Sequence, residues 1–260
     1  MMLFLFFQMS KAVETIKDGK VDWSKGIVTA KGYGVFDINA KNVNAEILKA
    51  QRVAVVVAQR NLLETIKGVY INSETIVEDY MLKSDLIVSR VNGIVKGARM
   101  IGEPKIDRQN GIVEVELAVD LYGDNGLVSA ILPEIIKNTK KQNLDDIKDN
   151  PSFSALVLDG SGTNIKPSLF PKIYDENGNL IFDTAWLIDE NNPKAQRVIK
   201  FVENLNEILN DPELKDNPLV IKIKSVLNGR DIVVDKDSAN KIKWLKKAWE
   251  LGKKIVLTLF

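Results

Sequence analysis

The chain has 260 residues, 36 of them basic and 35 acidic, so its formal net charge is +1. That balance argues against a nucleic-acid partner, because phosphate neutralisation usually demands a basic excess. The chain has no Cys and no His, which excludes disulfides, thiolate nucleophiles, thiolate or imidazole metal sites and any His-based triad.

Catalysis would therefore fall to Asp, Glu, Lys, Tyr or a hard metal held by oxygens. No cofactor is expected. The length suffices to bury a core without covalent or metal staples.

The chain opens on an apolar run, Met1 to Phe7, that ends at Gln8. A membrane span needs roughly 20 apolar residues, so no transmembrane segment is expected here. Ser10-Lys11-Ala12 has the small-x-small form of a signal-peptidase site, although no basic residue precedes the run. Residues 1–22 are expected to be a signal-like segment and a polar linker. The alternative is a short apolar helix docked on the fold of a cytoplasmic protein.

Gly26 to Phe36 has strand character, with Gly32 and Gly34 marking a bend or a close backbone approach. From Lys41 to Lys67 the pattern is helical, and Ile47, Ala50, Ala54, Val57 and Ala58 share one stripe. Gly68 is its stop. Val69 to Ile71 is expected to be a short strand, Thr75 to Leu82 a short helix, and Leu86 to Ile101 a long strand bulged at Gly93 and Gly97. Asn110-Gly111 signals a hairpin, followed by the alternating strand Val113 to Leu121.

Leu127 to Lys141 looks helical, and the polar stretch Gln142 to Ser152 is the expected domain boundary. Beyond it come a strand at Phe153 to Leu158, a loop at Asp159 to Asn164, and a hairpin of Lys172–Tyr174 with Leu180–Phe182. A helix is expected over Pro193 to Leu209, strands at Leu219–Val226 and Asp231–Val234, a helix capped by Asp235, and a closing strand from Lys254. The fold class is α+β, in two lobes, each a small mainly antiparallel sheet packed with helices. The expected domains are 23–150 and 151–260.

Few residues offer chemistry. The Asp159 loop could cradle a phosphate or a cation, but it lacks the Gly-Lys-Ser/Thr ending of a nucleotide loop. Asp175, Asn177, Asn179 and Asp183 present oxygens at alternating positions, without the Gly and Glu placement of a calcium loop. Asp159, Asp175, Asn177 and Asp183 are thus the candidate metal ligands, with a plain turn as the competing account of each. Ser238 and Lys241 match Ser-x-x-Lys without its companion motifs. Glu114 and Glu116 share a strand face expected to be wet, and Trp244 and Trp249 are expected in helix packing.

Trp23-Ser24, then Gly26-Ile-Val-Thr-Ala-Lys-Gly32, then Ala50 to Glu64 with its Ala-x-Arg spacing, then Gly68-Val69, carry a family pattern. Together with Val91 to Arg99 they resemble the small bacterial envelope lipoprotein family, which shares a domain with the N-terminal part of the flagellar assembly protein FlgT. The resemblance covers about Trp23 to Gly123. The second lobe is similar to exported bacterial proteins over Ser154 to Asp183 and the last helix and strand. The resemblance implies export, an envelope location and no catalytic residues. With no Cys there is no lipidation site, so the protein would be periplasmic or otherwise exported. Arg52, Arg60 and Arg99 fall on polar positions of the pattern, where salt bridges between helix and sheet are expected.

The expected function is a non-enzymatic envelope protein, a structural or assembly factor of a surface or flagellar structure. Its partner would be another envelope protein or a second copy. The alternative is a divalent-cation-dependent hydrolase or ligand-binding protein with its site between the lobes.

Overall fold

Two glycines on one strand and three alanines on one helix set how the first half packs. Strand β3 (Ile27–Val35) turns Val28, Ala30, Gly32 and Gly34 to the inside. Helix α1 (Val43–Lys67) lies across them and buries Ala50, Ala54, Ala58 and Leu62. A Cβ at Gly32 would stand 2.1 Å from the Ala54 carbonyl oxygen, and one at Gly34 would stand 2.0 Å from that of Ala50. Backbone thus meets backbone, which only glycine permits. Asn42 caps α1 by accepting from the Ala45 N–H at 3.1 Å, and Gly68 ends it.

In this computed structural model the described residues are 12–139, 153, 155–188, 199–203, 207, 210, 217–249 and 254–258. The apolar run at Met1 to Phe7, the domain boundary at Gln142 to Ser152 and the side chains of Trp244 and Trp249 lie outside the description.

The first sheet has six strands: β1 (Val13–Ile16), β2 (Gly19–Asp22), β3, β4 (Arg99–Met100), β5 (Lys105–Asp107) and β6 (Ile112–Asp120). The order is β1-β2-β3-β6-β4, with β5 also on β6, and every pairing is antiparallel. Residues 17–22, expected to be linker, form the turn and second strand of a hairpin. Val21 and Trp23 alternate inward there and are fully buried.

The segment expected to be a long strand at Leu86 to Ile101 is instead helix α3 (Asp85–Lys96), and only Arg99–Met100 is extended. Ile87, Val91 and Val95 recur every fourth residue and bury one stripe, while Ser84 caps the helix by accepting from the Ile87 N–H. Gly93 and Gly97 are therefore an exposed helix face and a C-cap rather than bulges. The expected strand at Val69 to Ile71 reduces to one bridge, Tyr70 with Ile76, ahead of the short helix α2 (Val77–Met81). Helix α4 (Leu127–Asn138) carries Pro133 and is buried on much of its circumference.

The second half holds two four-stranded sheets. One joins β10 (Ile199–Val202), β14 (Lys254–Thr258), β7 (Ala155–Asp159) and β11 (Leu219–Lys222) in that order, all parallel. The other joins β12 (Ser225–Leu227), β13 (Asp231–Val233), β8 (Lys172–Tyr174) and β9 (Leu180–Asp183), with one parallel pairing, β13 on β8. The α+β class holds. The antiparallel expectation is met in the first sheet and overturned in the β7 sheet, whose central strand is buried on both faces from Ala155 to Leu158 as parallel strands are. Ile199–Val202, expected to be helical, is a strand of that sheet. Helix α5 (Lys236–Trp249) follows Asp235, whose carboxylate accepts from the Ser238 N–H at 2.9 Å.

One contiguous apolar core runs through both halves, from Ala12 and Trp23 to Ile232 and Ile242. Trp23 meets Phe201 edge-on at 5.6 Å between centroids. The Leu169 and Phe170 N–H groups donate to the Tyr70 and Ile71 carbonyls at 3.0 and 2.7 Å.

Ala54→Leu and Gly32→Val each force α1 off the sheet. We expect each to lower stability by about 1–3 kcal/mol or more in urea denaturation. Val53→Leu, on the exposed face of the same helix, should change it by less than about 0.5 kcal/mol.

Candidate functional site

Among the described residues, Arg230 and Asp231 bring buried charge to the seam between the halves, and Glu134 on α4 is buried too. Arg230 is 5% exposed and stands on the turn between β12 and β13. Its guanidinium forks onto both Glu14 oxygens on β1, donates to the Pro167 carbonyl, and lies 3.7 Å above the centroid of the Tyr70 ring. A planar fork is suited to holding a carboxylate, a carbonyl and a ring face together.

The next residue, Asp231, is 1% exposed. It accepts from the Lys172 N–H at 2.9 Å and from the Ser73 hydroxyl at 2.7 Å, so it ties the first half to β8. Burial pushes its carboxyl above the ordinary aspartate range, and the Lys172 and Ser73 hydrogen bonds only partly offset this. Asp183 is raised by burial too, against the bond it accepts from the Ala185 N–H. Tyr80 is pushed up to about 12 by burial and then by the Glu134 and Asp183 charges.

A polar cavity of about 150 Å3 opens on this seam, lined by residues that include Tyr80, Lys83, Asn138, Lys172 and Asp183. Two lysines share the wall with the carboxylate. That mixed lining lacks the one-sided oxygen shell that a divalent cation requires. A trough of about 950 Å3 lies elsewhere, between α3 and α4, and its walls include Gly93, Ile94, Ala130, Leu132 and Ile136.

The sequence-derived candidates fall in three separate places. Asp159 ends β7 and accepts from the Ser161 N–H at 2.8 Å. Lys222, at the end of β11, pairs with it at 3.2 Å and also reaches the Ser161 carbonyl and hydroxyl. Burial alone would raise the Asp159 carboxyl, but the Ser161 and Lys222 bonds outweigh it and hold it below its ordinary range. Asp175 closes the β8–β9 turn by accepting from the Asn177 and Asn179 N–H groups and the Asn179 amide, which lower its carboxyl. Asn177 contributes its N–H to that turn and is exposed. Asp183 sits at the far end of the same hairpin, in register with Lys172. Among the described residues no three acidic groups converge on a common point that could hold a metal ion.

The remaining motifs are also placed. The Ser238 hydroxyl donates to Asp235 at 2.7 Å within the helix cap. Glu114 pairs with Lys31 at 2.7 Å and Lys105 at 3.6 Å on the outer sheet face. Arg99 pairs with Asp120 at 3.2 Å, whereas Arg52 and Arg60 are exposed on α1 and form no ion pair with a described residue. Sequence reading missed Glu14, Tyr70, Ser73, Arg230 and Asp231. The available signal was a charged pair, Arg230-Asp231, placed directly before the apolar run Ile232 to Val234.

Residues 155–256 match the family model described as Treponema pallidum Tp0624, second domain. The matched segment begins at the first residue of β7 and ends inside β14, so it spans the two central strands of the parallel sheet. No match to this chain was found among curated proteins.

A raised aspartate is protonated in the fold at a pH where the unfolded chain has already lost the proton. The stability that Asp231 and Asp183 contribute therefore falls as pH rises from 3.8, the ordinary value, through their folded values. Asp231→Asn keeps an acceptor for the Lys172 N–H, and it should flatten that decline when urea midpoints are measured across the window. Arg230→Ala leaves Glu14 without its partner and should cost about 3–5 kcal/mol. Ser168 is fully buried and its hydroxyl has no hydrogen-bond partner among the described residues. Ser168→Ala should thus be neutral or stabilising, by up to about 1 kcal/mol, in the same assay.

Proposed function

We propose that this chain is a non-enzymatic, exported envelope protein that serves as a structural or assembly factor of a surface or flagellar structure. The observation that carries the reading is that the candidate carboxylates are committed to their own surroundings. Asp159 is held by Lys222 and Ser161, and Asp175 by the N–H groups of its turn. These N–H groups and the Lys222 ammonium already balance the two carboxylates, so neither needs a metal or a substrate to satisfy it. The likeness of Trp23 to Gly123 to the envelope lipoprotein family supports the same reading, as does the two-sided clamp at Arg230, which suits a rigid docking body.

On this reading the native protein fractionates with the periplasm or envelope. Its mature N-terminus begins downstream of Ser10 by mass spectrometry, and in-cell cross-linking captures an envelope protein. An intact Met1 on a cytosolic protein would overturn it. The cation-dependent alternative is tested by calorimetry with calcium and magnesium, where we expect neither heat nor a thermal shift.

A further inference from the structure

We propose that the polar cavity on the seam binds a free α-amino acid with a small, uncharged side chain, its carboxylate held by Lys83 and Lys172 and its ammonium by Asp183. This goes beyond the envelope reading and does not depend on it. Both halves build the cavity. Tyr80 comes from α2, Lys83 from the link between α2 and α3, Lys172 from the start of β8 and Asp183 from the end of β9. Ile71, Ile135, Phe170 and Ala185, all buried, give it apolar walls.

Some polar groups on the lining are already used within the chain. The Asn72 side-chain oxygen accepts from the Glu74 and Thr75 N–H groups, the Asn138 amide donates to Glu134, and the Thr139 hydroxyl donates to the Ile135 carbonyl. Four others are not. Tyr80 is 6% exposed, and its hydroxyl has no hydrogen-bond partner among the described residues. That hydroxyl is not among the unpaired atoms sealed from solvent, so it opens on the cavity. One Asp183 oxygen accepts from the Ala185 N–H at 2.9 Å, and the other has no partner among the described residues. The Lys83 and Lys172 ammonium groups form no ion pair or hydrogen bond with a described residue. Asp159 and Asp175 are satisfied by their own surroundings, whereas this set waits for partners that a ligand can supply.

The mixture of charges selects the ligand. Lys172 and Asp183 are opposed in the β8–β9 pairing, so their side chains leave the same face of the hairpin. The Asp183 charge helps to raise the Tyr80 hydroxyl, which places the two against the same space. A simple anion would be repelled by Asp183, and a simple cation by the two lysines. A zwitterion matches both signs, and its ammonium offsets the burial that raises the Asp183 carboxyl. The volume of about 150 Å3 is well below the roughly 300–1,000 Å3 of pockets for drug-sized ligands, so a nucleotide or a sugar chain does not fit. The apolar walls suit a side chain such as that of alanine, serine or valine.

Calorimetry and thermal shift on the full chain test this with L-alanine, L-serine and L-valine, and with propionate and ethylamine as probes that each lack one charge. At least one amino acid should give heat and a raised melting temperature, and propionate and ethylamine should bind at least about tenfold more weakly. Asp183→Asn keeps an acceptor for the Ala185 N–H. It should weaken the amino acid at least about tenfold without weakening propionate. Lys83→Gln, at an exposed position, and Tyr80→Phe should each lower amino-acid affinity with an unchanged circular dichroism spectrum. No heat or thermal shift from any of the three amino acids at about 10 mM would overturn the proposal. So would propionate binding as tightly as they do, or an affinity indifferent to both Asp183→Asn and Lys83→Gln.

Discussion

A single buried cation organises this molecule. Arg230 lies in a low-dielectric interior where an unpaired guanidinium would be very costly, so every part of it must be matched. Glu14, the Pro167 carbonyl and the Tyr70 face do the matching, and they come from three distant stretches of chain. The halves can shift against one another only by breaking this set. Hydrophobic burial holds the core together without direction; the arginine fork supplies the orientation.

Helix α1 connects that clamp to the first sheet. Its length is spent on alanines lying over glycines, which brings its axis unusually near β3. Three residues beyond its C-terminal Lys67 comes Tyr70, the ring beneath Arg230, and then Ile71, whose carbonyl receives the Phe170 N–H. The close helix–sheet packing therefore sets where the seam's aromatic platform sits. Asp231 extends the effect by bonding Ser73 and the Lys172 backbone at once. Two adjacent residues, at the end of one turn and the start of β13, thus reach the first half, the loop before β8, and β8 itself.

Local pattern made some of this legible. The α1 stripe, the Asn110-Gly111 hairpin, the alternating β6 strand, the β8–β9 hairpin and the Asp235 cap all follow from short-range spacing, and the structure has each of them. What failed was decided at long range. In α3 the β-branched Ile87, Val88, Val91 and Val95 favour a strand locally, and tertiary burial of one stripe won. Strand β7 is apolar on both faces, and nothing in its residues says that its neighbours will be β14 and β11 running parallel. The seam was invisible for the same reason: Glu14 and Arg230 are more than two hundred residues apart, and no periodicity links them. Asp159 and Asp175 were legible as turn residues, and each accepts from N–H groups of its own turn.

The order of the parallel sheet has a consequence for biogenesis. Strand β14 is made last of its four strands, yet it occupies the gap between β10 and β7. β7 and β10 are not paired with each other in the fold, so the native partner of the inner edge of each is available only once residues 254–258 emerge. An open, apolar edge such as Leu156 to Leu158 invites pairing with another chain. Completion of this sheet is thus a late event, and the exposed inner edges of β7 and β10 are where a nascent chain is most open to mispairing.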